Sequence, residues 1–328
     1  MNRIITGLAE KSYSLLFYLT KGIFTPNPFQ PMTNADAGWV NSHPEEFYAV
    51  PEAAPKLAFC KDCAPGDAVR DRFTFPSVYT SPYPKNNIVS GSAKLHRADK
   101  ARAALVIVHG HAMTTFRLLE YYARPALHMD IDVYFIALPY HMQRAPTGTW
   151  SGQYSLNSDI RGSAMAFKQG VQDVRTLMNW IERERHTPIM LAGISLGAYT
   201  AAMTAVVDDR PKAVISILGG GSLAQLIEDG YEMGLSKRQL QADGVSAADL
   251  ERYWTLLGPG NWQPKIPPNR VLMIGGKFDP IVRPANLNQL WQAWKQPRLH
   301  WYNAGHATII TYHHQIRDEI TDFMAQCL

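Results

Sequence analysis

The chain has 328 residues, 46% of them apolar, which is enough for one large core with accessory segments. A net charge of +4 is small for this length and no Lys/Arg cluster stands out, so a nucleic-acid partner is not expected. Three cysteines, an odd number, give no disulfide framework.

Residues 1–24 predict an amphipathic helix carried by Ile4, Ile5, Leu8, Leu15, Leu16, Leu19 and Phe24. Its uncharged stretch, residues 12–20, is too short to span a bilayer, and no small-residue cleavage site follows. Such a helix either packs on the body of the protein or makes a peripheral membrane contact. The expected location is the cytoplasm, with membrane association through this segment as the alternative. Residues 25–68 are rich in proline, which removes donors and blocks helices, so they read as an extended wrap. Cys60-Lys61-Asp62-Cys63 is a lone CxxC without a second ligand pair; it reads as ordinary thiols or a redox pair before a zinc site, and no metal is assigned.

Two short strands over 70–76 and 87–97 suit an antiparallel edge. The run 103–108 predicts a strand buried on both faces, leading into His109-Gly110-His111-Ala112-Met113. A helix over 115–129 and a strand over 131–138 follow, the strand ending in Pro139-Tyr140. The loop 147–157 carries Trp150 and Tyr154, and 159–185 predicts a long helix capped by Ser158 or Asp159. The run 188–194 is again apolar and passes through Gly193-Ile194-Ser195-Leu196-Gly197 into small helix-forming residues. After a strand over 212–218 ending in Gly219-Gly220-Gly221, residues 222–268 hold helical stretches and no strand. Strands then return over 269–276, before Asp279, and over 298–302, before His306.

A sharp strand-to-helix turn exposes Ser195 above a sheet edge and leaves the Leu196 N–H at a helix N-terminus, where an anion is favoured. A serine needs a base, and the base needs an orienting acid. His306 and Asp279 each sit just past a strand end, where parallel sheets place their sites. The loop after 103–108 supplies a second oxyanion donor, His111 N–H first and Ala112 N–H as its neighbour, with Gly110 allowing close approach. His109 is read as a structural brace for that loop. Met113, Tyr140, Trp254 and Trp262 are the expected substrate-pocket residues, the two tryptophans having the alternative of filling the insertion's own core.

With the order Ser195, Asp279, His306, the elbow at 193–197 and His109-Gly110, the chain from about residue 87 resembles the α/β-hydrolases. It is similar in part to a little-characterised group of hydrolase-domain proteins, through Arg124-Pro125, Pro139-Tyr140, the elbow, and the helix ending near Trp180-Ile181-Glu182-Arg183-Glu184. It departs from esterases with a His-Gly-Gly-Gly loop by having His111-Ala112 there, which puts activity on tertiary-alcohol esters in doubt. The resemblance implies an α/β-hydrolase fold, a mostly parallel central sheet with helices on both faces and a helical cap insertion. The expected organisation is an N-terminal helix and wrap over 1–68, core over 69–221, cap over 222–268 and core again over 269–328. The expected activity is hydrolysis of a small-molecule carboxylic ester by way of an acyl-enzyme, with no cofactor. Amide cleavage by the same residues and a noncatalytic binding module are the alternatives.

Overall fold

Unbroken apolar runs make the central strands. Ala103–Val108, Ile131–Ile136, Ile189–Ile194 and Val271–Gly276 are buried at every position, as strands covered on both faces require. The computed structural model describes residues 38–61, 71–97, 100–230 and 233–328, together with Thr6, Ala9 and Glu10. Most of the helix predicted over 1–24 lies outside the described residues, as do 25–37 and 62–68 of the wrap, Cys63 included. Thr6, Ala9 and Glu10 are helical.

The strands are β1 (Ala58–Lys61), β2 (Asp71–Pro76), β3 (Ile88–Lys94), β4 (Ala103–Val108), β5 (Ile131–Ile136), β6 (Ile189–Ile194), β7 (Pro211–Ile217), β8 (Val271–Gly276) and β9 (Arg298–Tyr302). They form one sheet in the order β1-β2-β3-β5-β4-β6-β7-β8-β9. The first three pair antiparallel with one another and β3 pairs antiparallel with β5; from β5 to β9 every pair is parallel. β1 is a correction, because it lies inside the stretch read as wrap. Pro55 and Pro65 flank it, so the residues between them keep their N–H groups and can add a strand to β2.

The α-helices are α1 (Pro44–Phe47), α2 (Arg117–His128), α3 (Ile160–Arg185), α4 (Leu196–Val207), α5 (Leu223–Asp229), α6 (Gly234–Ala242), α7 (Ala247–Tyr253), α8 (Pro284–Ala293) and α9 (His313–Cys327). Alternate residues of β4 serve the two cores. Ala104, Val106 and Val108 pack with α3, α4 and α8, whereas Ala103, Leu105 and Ile107 pack with α2 and α9. Asp159, not Ser158, caps α3, its carboxylate accepting from Gly162 N at 2.8 Å. Helices α5 to α7 occupy the segment 222–268 and bury Leu226, Leu240 and Leu250 in the core on the α3 side.

The chain leaves β4 for β5 on one side and returns to β6 on the other. The loops after β4 and β6 therefore face each other across the point where strand order reverses, where open α/β sheets hold their ligands. Among the described residues no helix is long and apolar enough to cross a membrane.

Candidate active site

Ser195 stands between β6 and α4 with φ 53° and ψ −121°, a left-handed backbone that a side chain adopts only under strain. Its N–H is held by Ile217 O at 2.8 Å. The glycines on either side explain themselves by contact. A Cβ on Gly193 would strike the Gly197 backbone, and one on Gly197 would strike the carbonyl of Val108 at the end of β4. The turn can be this tight only without those side chains.

The structure brings the three predicted residues together from three strands. His306 Nε2 lies 3.0 Å from Ser195 Oγ, and His306 Nδ1 lies 2.7 Å from Asp279 Oδ2. A carboxylate can only accept, so Nδ1 carries the proton and Nε2 is left to accept from the serine hydroxyl. The other oxygen of Asp279 accepts from Ile281 N at 2.8 Å and Val282 N at 2.9 Å, which locks the orientation of a buried carboxylate. Ser195 and His306 are half-buried, within reach of a substrate.

The three candidate oxyanion donors, Leu196, His111 and Ala112, lie at the start of α4 and in the loop after β4. Leu196 is the first residue of α4, so its N–H has no acceptor one turn back in the helix. Ala112 N–H, however, donates to His141 Nε2 at 3.2 Å, and His141 Nδ1–H donates to Pro139 O at 2.8 Å. Ala112 N–H is thereby engaged in the loop's own support. His109 braces the same loop as expected: Nδ1–H donates to Gly110 O at 2.7 Å and Nε2 accepts from Leu138 N at 2.9 Å. Burial lowers the His109 pKa to about 4 and holds that of His141 well below the ordinary histidine value, so both rings are neutral supports. His111 Nε2–H donates to Gly152 O at 3.1 Å, and its ring meets Trp150 edge-on, which ties the loop 147–157 to the site.

Of the predicted pocket residues, Met113 stays near the serine. Its sulfur accepts from Gly110 N at 3.3 Å, and its carbonyl accepts from Ser151 Oγ at 2.6 Å. Tyr140 is a correction, whereas Trp254 and Trp262 take the core role given as their alternative. Tyr140 is buried; its positive φ swings the ring between Tyr83 and Tyr154, and burial pushes its hydroxyl up to about 12. Trp254 is 2% exposed, in the core shared with α3, its indole N–H donating to Ile160 O at 3.0 Å. Trp262 packs against the same core and donates to Thr255 O at 3.2 Å. Both tryptophans hold the insertion to the body.

Sequence reasoning passed over three supports. His141, already described, binds the loop after β4. Asn86 accepts from Tyr140 N at 2.8 Å and donates to Gln169 Oε1 at 2.7 Å. Arg144, fully buried, pairs with buried Asp173 at 2.8 Å and donates to Ala137 O at 2.8 Å, pinning the turn after β5 onto α3. Each works through partners distant in the chain, so no local pattern marks it.

A family model described as alpha/beta hydrolase domain containing 18 matches residues 95–243. An uncharacterised protein of Mycobacterium tuberculosis is 29% identical over 222 residues, 65% of this chain and 52% of that protein, so the chain spans about half the length of this curated relative. Among solved structures, the acetyl xylan esterase of Paenibacillus sp. R4 superposes with a TM-score of 0.63 at 15% identity, covering 91% of this chain and 97% of that one. A puromycin-hydrolysing peptidase of Mycobacterium tuberculosis superposes with a TM-score of 0.58 at 14% identity, covering 84% of this chain and 46% of that one. Likenesses at such identities speak for architecture, and they agree with the parallel sheet and the strained serine turn: the chain has the fold of the α/β-hydrolases.

Proposed function

We propose that the chain is a serine hydrolase that cleaves carboxylic esters through an acyl-enzyme. The observation that carries this is the relay of 3.0 Å from Ser195 Oγ to His306 Nε2 and 2.7 Å from His306 Nδ1 to Asp279 Oδ2. In the reaction, Ser195 Oγ attacks the ester carbonyl carbon as its proton passes to His306 Nε2. Asp279 keeps the imidazole in the right tautomer and stabilises its positive charge. The carbonyl oxygen takes up the displaced electron pair and is met by the N–H groups of Leu196 and His111, worth roughly 3–4 kcal/mol per donor in comparable sites. Collapse breaks the bond to the alcohol oxygen, which receives the proton from His306. Water then attacks the acyl carbon with His306 again as base, and Ser195 leaves.

The ester reading is supported by the esterase among the structural neighbours. Amide cleavage is the second reading, favoured by the peptidase among them. Fluorophosphonate labelling tests the nucleophile, and matched p-nitrophenyl esters and p-nitroanilides of graded acyl length test the bond. Labelling with ester turnover is the expected result. Labelling with anilide preference would move the assignment to an amidase, and no labelling would remove it.

A further inference from the structure

His306 lies on a short loop between β9 and the 3-10 turn Thr308–Tyr312 that opens α9. The start of such a turn leaves N–H groups without intrahelical acceptors, and Ala307, in the cap position, has no side chain to take them. The acceptor comes from the far end of the chain. Glu10, 3% exposed, accepts from Thr308 N at 2.7 Å and from Thr308 Oγ1 at 2.8 Å through Oε1, and from Ala307 N at 3.2 Å through Oε2. Thr308 Oγ1 in turn accepts from Gly305 N at 2.8 Å. Gly305 is pressed against the Glu10 carboxyl so closely that a Cβ there would strike it. A carboxylate at this end of a helix is also favoured by the macrodipole.

We infer that Glu10 is a positioning residue for His306: it holds the backbone on both sides of the imidazole and so fixes the approach of Nε2 to Ser195. This rests on the serine-hydrolase reading for its effect on rate. The tolerance is small. Productive proton transfer needs a heavy-atom distance of about 2.6–3.2 Å, and the relay stands at 3.0 Å. A few tenths of an ångström of loop drift would take it out of reach, and a misplacement of about 1 Å costs on the order of 100-fold in rate.

The test uses the full chain with Glu10→Gln, Thr308→Val and the double substitution. Glutamine keeps the size but turns an N–H₂ toward donors that need an acceptor. The valine removes only the hydroxyl that links Glu10 to Gly305. For Glu10→Gln, kcat on p-nitrophenyl acetate should fall roughly 10- to 100-fold with KM within about twofold, and fluorophosphonate labelling should slow in step. Thr308→Val should lose less, and the double variant no more than Glu10→Gln alone, because the two lie on one path. The far-downfield proton resonance of the His306–Asp279 hydrogen bond should broaden or vanish in Glu10→Gln while near-UV circular dichroism stays native. Wild-type kcat and labelling in Glu10→Gln would overturn the inference, as would a loss of rate that only follows the unfolded fraction. Should Glu10→Gln fail to fold, Thr308→Val carries the same two outcomes. If the wild type neither labels nor turns over esters, the serine-hydrolase reading fails by itself. The downfield resonance then decides separately: its loss in Glu10→Gln supports the positioning role, and its persistence overturns it.

Discussion

Acidification sets the two surroundings of His109, folded and unfolded, against each other. In the folded chain Nδ1–H donates to Gly110 O and Nε2 accepts from Leu138 N, so a second proton would face an N–H group. Burial, helped by the nearby His111 and Arg144 and opposed by the Gly110 carbonyl, lowers the pKa from 6.5 to about 4. Between those values the unfolded chain binds a proton that the folded chain refuses, so unfolding free energy rises with pH. The contribution is complete above 6.5 and is lost as pH falls toward 4. At 1.36 kcal/mol per pKa unit, the gap between 6.5 and about 4 corresponds to roughly 3 kcal/mol in all, and to about 2 kcal/mol by pH 5. His141 acts in the same direction, whereas Asp173, its carboxyl raised chiefly by burial, acts in the opposite one. The clean quantity is therefore a difference between proteins. Urea unfolding of the wild type and of His109→Gln, whose amide oxygen can still accept from Leu138 N, would be compared from about pH 7.5 to about pH 5. The wild type should lose about 2 kcal/mol more than the variant over that span. Equal pH slopes would mean that burial of His109 carries no such proton linkage.

Ser195→Ala and His306→Ala should each remove nearly all ester turnover, and the double variant should lose little more, since the residues act as one unit; additive losses in steady-state rates would count against the relay. Trp254→Ala should cost about 3–5 kcal/mol in urea unfolding, because it empties a buried site, while the acyl-length profile stays as in the wild type. A changed profile at unchanged stability would return Trp254 to the pocket. Arg144→Met should cost about 3–5 kcal/mol by leaving Asp173 charged and alone, and adding Asp173→Leu should recover most of it; the same unfolding assay reads both.

The candidate relay was legible because each member carries a local mark. Ser195 is bracketed by glycines that the turn demands, Asp279 follows an apolar run that reads as a buried strand, and His306 follows the short strand Arg298–Tyr302. The central sheet was legible for the same reason, since its apolar runs are bounded by Gly and Pro. What escaped depends on partners far away in sequence. That Ala112 N–H is taken by His141 is a contact across 29 residues with no pattern to announce it. Tyr140 sits at the expected end of β5, but a left-handed backbone turns its ring away, and nothing in Pro139-Tyr140 foretells that φ. Trp254 shows the limit of helical spacing, which gives the face but not what lies against it. β1 was hidden by its surroundings, a strand of four residues within a stretch whose prolines argue for irregular chain.

The scatter of the candidate relay along the chain also sets the order in which its members are made. The serine turn is closed by β4 and β7, both of which precede residue 218, so the segments that shape the strained backbone at Ser195 come before β8 and β9 in the chain. Ser195 and His306 are 111 residues apart, and Asp279 and His306 arrive on β8 and β9, the last two strands added at one sheet edge. The contact of Glu10 with Thr308 spans 298 residues and closes the longest loop of all, the step with the greatest entropic cost among these. On the serine-hydrolase reading, the proposed nucleophile therefore meets its base only once β8 and β9 have docked.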